Sequence, residues 1–254
     1  KENIKLVEKH PKPSLACYTK LKDQECQLDL QLKRRQSPYK SIKKLPSNWQ
    51  STVTQIINNP SEQEDCITSV GNCQIGHAEL VRLQDGNWLN DQIIDGYMWL
   101  INERSRRELE LNSLFQPKVH SFNCYLYLKM MQNEFNSVSN HTKRWKINIF
   151  EKDLLLFPIS LGNHRTLGAV EINKKQVKYF DSLGGREGKF FKSMKIFLQN
   201  ETNSRKCVGE IDWNEWKFEV VKSIPKQHNS YDCGVFVCIY AEYLAKGIEF
   251  DFTQ

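Results

Sequence analysis

The sequence lacks any apolar run long enough to cross a bilayer. Its longest apolar stretches extend from Leu154 to Leu161 and from Val235 to Ala241, whereas a membrane-spanning helix needs about 20 predominantly apolar residues. No apolar segment of the secretory type opens the chain. Internal repeats and low-complexity tracts are also missing, and 39% of the residues are hydrophobic. These features predict a globular chain with no membrane partner.

Cysteine spacing excludes two further classes of protein. None of the eight cysteines forms a Cys-x-x-Cys pair, and their spacings are irregular. Structural zinc sites use such close pairs, and small secreted domains use dense disulfide frameworks. Scattered cysteines in a chain of 254 residues suit a reducing compartment. We therefore predict no metal, no other cofactor and no disulfide scaffold.

Positive charge is in excess but is not concentrated. The net charge is +6, yet the densest basic run is only Lys33-Arg34-Arg35. Nucleic-acid-binding proteins usually cluster their basic residues on one face, so we expect no nucleic-acid partner. We interpret the run as a solvated basic segment, with a nuclear-import signal as the alternative.

A polar beginning gives way to a region with regular apolar spacing. Residues 1–45 are rich in Lys and Gln and are predicted to be a flexible basic lead-in, followed by one domain over residues 46–254. Apolar residues at helical spacing predict helices over 46–57, 93–101, 124–131 and 190–198, and one that begins at Cys233. Short apolar runs predict strands over 154–159, 167–172, 177–180 and 216–221. The fold class is therefore α+β, with the first three strands as an antiparallel meander.

The strongest chemical signal is a cysteine at the point where a polar loop becomes a helix. Cys233 follows Gln227-His-Asn-Ser-Tyr-Asp and is followed by Gly234. A helix N-terminus presents unpaired N–H groups and a partial positive charge, and both favour a thiolate over a thiol. Gly234 would let a substrate approach the backbone, and the Gln227 side chain can donate to an oxyanion. A buried structural cysteine is the alternative interpretation, and it suits Cys238.

A thiol nucleophile needs a base, and the base needs a residue that orients it. His164 precedes one predicted strand, and Asp181 ends the next. Adjacent antiparallel strands bring such positions side by side, close enough for an aspartate–imidazole hydrogen bond. A lone histidine or aspartate is more often structural, so neither residue is persuasive without Cys233.

Four motifs in series resemble the SUMO-specific, or sentrin-specific, cysteine protease family, the catalytic domain of ubiquitin-like proteases. They are Trp88-Leu-Asn-Asp91, Phe157-Pro-Ile-Ser-Leu-Gly-Asn-His164, Tyr179-Phe-Asp-Ser-Leu-Gly-Gly185, and Gln227 followed by Asp232-Cys-Gly234. In that family, the residues that match His164, Asp181 and Cys233 form a triad, and the one that matches Gln227 helps to form the oxyanion hole. The resemblance implies a papain-like α+β fold with a central mixed or antiparallel sheet flanked by helices.

The resemblance also implies a substrate, the Gly-Gly tail of a SUMO-type modifier. Trp88 would cover this tail as a flat apolar lid, and Asp91, Arg165 and Gly234 are the other predicted substrate-binding residues. At the position of Arg165 the family usually has Trp. The arginine could take the place of that Trp by stacking on Trp88. A C-terminal helix of the family is expected to be missing after Gln254.

The resulting prediction is a monomeric thiol protease that matures SUMO-type precursors or removes the modifier from lysine, through a thioester at Cys233. Its partners would be the modifier and its conjugates. Its location would be nuclear, with or without a cytoplasmic pool. One alternative is a protease for another ubiquitin-like modifier. The other is a modifier-binding protein whose catalysis is weakened by Arg165.

Overall fold

Five strands form the central sheet of the computed structural model. The structure describes residues 46–58, 67–110, 117–132, 138, 142–185, 188–205 and 210–254. The strands of the sheet are β3 (Val119–Ser121), β4 (Leu154–Ser160), β5 (Arg165–Glu171), β6 (Gln176–Phe180) and β7 (Lys217–Val220). A separate antiparallel pair consists of β1 (Thr68–Val70) and β2 (Cys73–Ile75).

Helices flank the sheet. Along the chain the helices are α1 (Ser47–Asn58), α2 (His77–Val81), α3 (Asp91–Glu110), α4 (Cys124–Met131), α5 (Gly188–Ser204) and α6 (Cys233–Lys246), with 3-10 turns at Ile149–Glu151 and Trp213–Glu215. Those that pack on the sheet are α3, α4, α5 and α6. Local sequence explains several of their ends. The Asn123 side chain accepts a hydrogen bond from Leu126 N at the start of α4, and Gly247 ends α6 with a left-handed φ of 65°. None of the helices in these described ranges is long and apolar enough to cross a membrane.

The sheet is mixed, and its strands follow one another in chain order from β3 to β7. Strands β4, β5 and β6 are antiparallel neighbours, whereas β3 pairs with β4 and β6 pairs with β7 in parallel. A tight turn with Lys175 at a φ of 52° joins β5 to β6. This register places the residues just before β5 beside those just after β6, and both belong to the predicted triad.

Each face of the sheet carries its own apolar core. One core packs Leu156, Leu167 and Phe180 against α3 and α6, and the other packs Phe157 and Val177 against α4 and α5. Alternate side chains along each strand point to opposite faces, which is why neighbouring residues belong to different cores. Gly168 allows α5 to approach closely, because an added Cβ would lie 2.1 Å from the Phe190 ring.

A buried ion pair joins α3 to α6. Both Arg104 guanidinium N–H groups donate to the Glu242 carboxylate, at 2.7 and 2.9 Å, and Lys246 Nζ lies 3.0 Å from the same group. The hydrogen bonds to Arg104 and Lys246 and their charges hold the pKa of Glu242 below its ordinary value, although burial acts to raise it. The pairing fixes α6, whose first residue is Cys233, against α3, whose first residue is Asp91.

The predicted α+β class is confirmed, as are the helices and strands named above. Most of their ends differ by one or two residues, but α3 and α5 continue nine and six residues beyond their predicted ends, to Glu110 and Ser204. The sequence reading missed β1, β2, α2 and β3, which are all five residues or fewer. Short elements carry too few residues to show a period, and β3 pairs in parallel with a strand distant in sequence. The predicted lead-in, residues 1–45, lies outside the described residues, and the predicted domain boundary stays a prediction.

Candidate active site

The three predicted triad residues come from three neighbouring elements. His164 immediately precedes β5, Asp181 immediately follows β6, and Cys233 is the first residue of α6. His164 Nε2 lies 2.8 Å from Asp181 Oδ1. Cys233 also makes a hydrogen bond with His164. Because Nε2 is engaged by Asp181, Nδ1 is the ring nitrogen that remains for the contact with Cys233.

Asp181 is held in place by the turn that follows it. Its two carboxylate oxygens accept backbone N–H groups from Leu183 at 2.8 Å and Gly185 at 3.0 Å. A side chain at Gly185 would not fit, since an added Cβ would lie 2.5 Å from Asp181 Oδ2. Burial acts to raise the pKa of Asp181, but the hydrogen bonds from His164 and Leu183 outweigh it and lower that pKa. The carboxylate is therefore ionised and oriented toward the imidazole.

Cys233 is 4% exposed, and its pKa is set by burial and by several neighbouring polar groups. Burial acts to raise the pKa of this thiol, but it is outweighed by the His164 side chain, by the backbone N–H groups of Arg165 and Gly234, and by the charge of His164. The net result is a pKa below the ordinary value for cysteine. The N-terminus of α6 helps to lower the pKa of Cys233 in two ways, through the Gly234 N–H and through its partial positive charge.

The pKa of His164 is shifted in the opposite direction to that of Cys233. Hydrogen bonds to Asp181 and then to Cys233 raise the pKa of His164 to about 9, against a smaller opposing effect of burial. Opposite shifts of this kind, a lowered pKa for the Cys233 thiol and a raised pKa for the His164 imidazole, favour a thiolate–imidazolium pair. That pair is the ground state of a thiol protease, with the nucleophile and the proton donor both charged.

Alkylation of Cys233 should therefore be fast at pH 6 to 7. Because the thiol pKa is lowered, the thiolate forms at lower pH than in a free cysteine, and the rate should reach its plateau earlier as pH rises. Cys73 is the internal comparison, since it is half-buried and burial raises its pKa. The measurement is the pH profile of iodoacetamide incorporation at each site by peptide mass spectrometry. Equal profiles at Cys233 and Cys73 would contradict the ion pair.

Gln227 lies six residues before the nucleophile, and its amide is oriented by two contacts. Ser182 Oγ donates to Gln227 Oε1 at 2.5 Å, and Gln227 Nε2 donates to the Asn229 carbonyl at 2.8 Å. An amide nitrogen carries two N–H groups, so one remains for an oxyanion. Ser182 was not identified from the sequence. Its place directly after Asp181 is the only signal that could have indicated it.

Leu89, the residue after Trp88, lies against the start of α6. Trp88 itself is 45% exposed, whereas Leu89 is buried against Gly234. An added Cβ at Gly234 would lie 2.9 Å from Leu89 Cβ, so the glycine is required by packing. The predictions that Trp88 covers a substrate and that Gly234 allows its approach stay predictions.

Arg165 departs from the stacking on Trp88 that the sequence suggested. Its guanidinium lies 3.0 Å from Asp91 Oδ1 and donates to Ser160 Oγ across the β4–β5 pair. The Arg165 side chain is 17% exposed, whereas that of Asp91 is 55% exposed. The cation–π contacts found among the described residues lie elsewhere, around Tyr125, Trp213 and Phe218. The cation–π contact expected with Trp88 is therefore not found among the described residues, where Asp91 and Ser160 hold the arginine instead.

Asp95 adds a second carboxylate that the sequence reading did not single out. Its Oδ1 accepts the Cys124 N–H at 2.8 Å, which fixes the start of α4 against α3. Burial raises the pKa of Asp95, and the charge of Arg165 acts in the other direction. Asp91 and Asp95 are one helical turn apart, so Arg165 faces two carboxylates on α3. In the described part of the chain, no group of three or more metal-binding side chains is found.

Comparison with known proteins identifies this arrangement. Residues 87–254 match the model of the Ulp1 protease family, C-terminal catalytic domain. The chain belongs to the Ulp1 protease family. The matched region contains every residue of the site described above, from Trp88 to Gly234.

Relatives in the Ulp1 family are similar over most of this chain. Sentrin-specific protease 2 of Homo sapiens is 30% identical over 194 residues, which cover 76% of this chain and 31% of the relative. Sentrin-specific protease of Caenorhabditis elegans is 30% identical over 198 residues, covering 77% of this chain and 26% of the relative. The chain thus spans about a third or less of the length of these relatives.

Solved Ulp1-family structures share the fold. The C-terminal Ulp1 protease domain in complex with Smt3, the yeast ortholog of SUMO, has a TM-score of 0.68 and 25% identity, covering 84% of this chain and 89% of that one. A SUMO protease Ulp1 with its catalytic cysteine oxidised to a sulfinic acid has a TM-score of 0.69 and 26% identity, covering 84% and 90%. The predicted fold, a mixed sheet flanked by helices, is confirmed.

Proposed function

We propose that this chain is a cysteine protease that cleaves after the Gly-Gly terminus of a SUMO-type modifier. The observation that carries the proposal is the His164–Asp181 contact of 2.8 Å beside a buried Cys233 whose pKa is lowered. The structure of a Ulp1 protease domain in complex with Smt3 supports the class of substrate. Precursor maturation and removal from lysine use the same chemistry and are both included.

The reaction begins with attack of the Cys233 thiolate on the carbonyl carbon of the last glycine. The tetrahedral oxyanion accepts hydrogen bonds from the free Gln227 N–H and from the backbone N–H of Cys233. His164, which is protonated in the ion pair, gives its proton to the leaving amine as the C–N bond breaks. The product of this step is a thioester between the modifier and Cys233.

Hydrolysis of the thioester returns the enzyme to its starting state. His164, now neutral, takes a proton from water, and the hydroxide attacks the thioester carbonyl. The C–S bond breaks, and the thiolate pairs again with the imidazolium. The modifier leaves as a carboxylic acid, which gives its remaining proton to solvent and becomes the free carboxylate. Asp181 holds the ring in the required tautomer through both steps.

Recognition of glycine favours a narrow channel near Cys233. Trp88 would supply one wall, since an indole offers a flat apolar surface that excludes water from the reacting carbonyl. The Asp91–Arg165 pair would form the opposite wall, with Asp91 exposed enough to contact the modifier. A side chain in place of either glycine would then collide with these walls.

Steady-state cleavage of fluorogenic C-terminal amides tests the proposal. SUMO and ubiquitin amides should be compared at equal concentration, with the Cys233→Ala variant as the blank. We expect kcat/KM for the SUMO substrate to exceed that for ubiquitin by at least a hundredfold. If ubiquitin or another modifier were cleaved preferentially, that modifier, and not SUMO, would be the substrate. Lack of cleavage of every modifier would exclude the proposed activity.

The second candidate is a modifier-binding protein with weakened catalysis, and Arg165 is the observation that favours it. An arginine held between Asp91 and Ser160 replaces an apolar wall by a hydrated one. A misplacement of about 1 Å at a reacting centre can cost on the order of a hundredfold in rate. The nuclear location proposed from the family resemblance is compatible with either function.

Replacing Arg165 by Trp should raise kcat for the SUMO amide by about tenfold, on the view that a better-held carbonyl reacts faster. The change in KM should be smaller, because most of the modifier surface binds outside the channel. Arg165→Lys is the matched control, since it keeps the charge and adds no aromatic wall. The measurement is the full dependence of rate on substrate concentration. If Arg165→Trp were no faster than the parent, the arginine would be an adapted part of the channel.

A further inference from the structure

The loop from His228 to Asp232 separates the oxyanion donor Gln227 from the nucleophile Cys233. Any movement of this loop changes the distance between the two groups that must act on one carbonyl. Asn229 organises the loop from within, because its Oδ1 accepts the N–H groups of Tyr231 at 3.2 Å and Asp232 at 3.0 Å. Its Nδ2 donates to Asp232 Oδ2 at 2.8 Å.

One side chain from outside the loop contacts both of its ends. Gln254 Nε2 donates to Asp232 Oδ2 at 2.8 Å, and Gln254 Oε1 accepts the backbone N–H of His228. A primary amide is suited to this position, because it offers a donor and an acceptor about 2 Å apart on one rigid plane. The contacts link the residue after Gln227 to the residue before Cys233.

Gln254 reaches this position because the segment after α6 folds back along the helix. Gly247 turns the chain, and Phe250 and Phe252 then pack on the aromatic rings of α6. Ring centroids are 5.3 Å apart for Phe250 and Tyr240, and 5.2 Å apart for Phe252 and Tyr243. Tyr243 Oη also donates to the Asp251 carboxylate. The segment is therefore anchored on the helix that carries Cys233 and returns to its N-terminal end.

We propose that Gln254 is a positioning residue that clamps the 228–232 loop and so sets the distance between the oxyanion donor and the nucleophile. It contacts neither Cys233 nor the Gln227 amide, and it acts through His228 and Asp232. The main groups that lower the pKa of Cys233 are His164 and the N–H groups of Arg165 and Gly234. The effect of Gln254 on rate rests on the proposed protease function, whereas its effect on the loop does not.

Gln254→Ala should lower kcat for the SUMO amide by about tenfold, because a loosened oxyanion donor stabilises the transition state less. KM and the pH profile of Cys233 alkylation should stay unchanged, which a general loss of structure would not allow. Thr253→Ala, an exposed neighbour on the same segment, is the matched control and should keep the parental kcat.

Exchanging the amide and the carboxylate between Gln254 and Asp232 tests the contact between these two residues. Gln254→Glu keeps the acceptor for His228 but places a carboxylate against Asp232, so kcat should fall further than in Gln254→Ala. Adding Asp232→Asn restores a donor–acceptor pair and should recover at least part of the lost rate. A double variant that is as slow as, or slower than, Gln254→Glu alone would contradict the clamp.

Hydrogen exchange gives a readout that needs no substrate. In Gln254→Ala, the His228 N–H loses its acceptor, so a peptide covering 227–233 should exchange faster, while peptides from β5 should be unchanged. If the parent enzyme cleaved no modifier, the proposed function would fail and this experiment would still decide the clamp. Unchanged exchange at 227–233, or a kcat in Gln254→Ala equal to that of Thr253→Ala in an active enzyme, would overturn the inference.

Discussion

Cys233→Ser should abolish modifier hydrolysis and leave modifier binding nearly intact. Removal of the nucleophile from a catalytic triad lowers kcat on the order of 10⁶-fold. A serine hydroxyl does not form an ion pair with His164 at neutral pH, since its pKa is far above that of a thiol. Binding is spread over a surface that the substitution barely changes, because Cys233 is 4% exposed. The measurements are cleavage of the SUMO amide and the Kd for SUMO by calorimetry.

Cys73→Ser is the matched control, since Cys73 is a free, half-buried cysteine outside the triad. Its cleavage rate should equal that of the parent. Appreciable hydrolysis by Cys233→Ser would show that Cys233 is not the nucleophile. A loss of SUMO binding equal to the loss of rate would instead indicate that the substitution disturbs the surface.

Asp181→Asn should lower kcat by about 10⁴-fold, the loss seen when a triad aspartate is replaced by asparagine. The asparagine can present its N–H to His164, which favours the wrong tautomer and removes a negative charge beside the ring. In the parent protein the pKa of His164 is raised to about 9, chiefly by the hydrogen bond to Asp181. It should be lower in Asp181→Asn. With a less stable imidazolium, the pKa of Cys233 should rise.

The pH profile separates this effect from a loss of structure. A higher thiol pKa moves the acid limb of kcat/KM, and of Cys233 alkylation, toward higher pH in Asp181→Asn. Glu219→Gln, a substitution at an exposed carboxylate on β7, should leave the acid limb where it is in the parent. An acid limb that does not move in Asp181→Asn would mean that Asp181 does not support the ion pair.

The positions of the three proposed triad residues were predictable from the sequence because each lies at the end of a strongly patterned element. The apolar runs of β5, β6 and α6 identify those elements, and a polar residue stands at the boundary of each. Antiparallel neighbours joined by a short turn bring His164 and Asp181 together. The structure adds the distance and the direction of each pKa shift, which depend on burial and on backbone N–H groups.

The supporting contacts were not predictable in the same way. Ser182 and Asp95 have partners that are 45 and 29 residues away along the chain, respectively. The two partners of Gln254 are 22 and 26 residues away. Such contacts depend on how the helices and loops pack, and no local pattern encodes them. Arg165 shows the same limit, since its pairing with Asp91 follows from the closeness of α3 to the start of β5.

Arg165 and Gln254 together suggest how the site of this chain differs from a purely apolar channel. Arg165 and Asp91 form a charged pair between α3 and β5, and the loop before Cys233 is tied to the segment after α6. In the proposed mechanism, both features would act on the placement of the scissile carbonyl and leave the contact between His164 and Asp181 unchanged. Substitutions of Arg165 and Gln254 should therefore change kcat and leave the rate of Cys233 alkylation unchanged.

The central claim, that Cys233 forms a covalent bond with the glycine terminus of a SUMO-type modifier, is tested most directly by an electrophilic probe. SUMO carrying a C-terminal vinyl sulfone should be incubated with the parent protein, beside the same electrophile on ubiquitin, and the adduct mapped by peptide mass spectrometry. We expect one SUMO adduct, located on Cys233, and greatly slowed labelling in His164→Ala. An adduct on another cysteine, or equal labelling by the ubiquitin probe, would contradict the central claim.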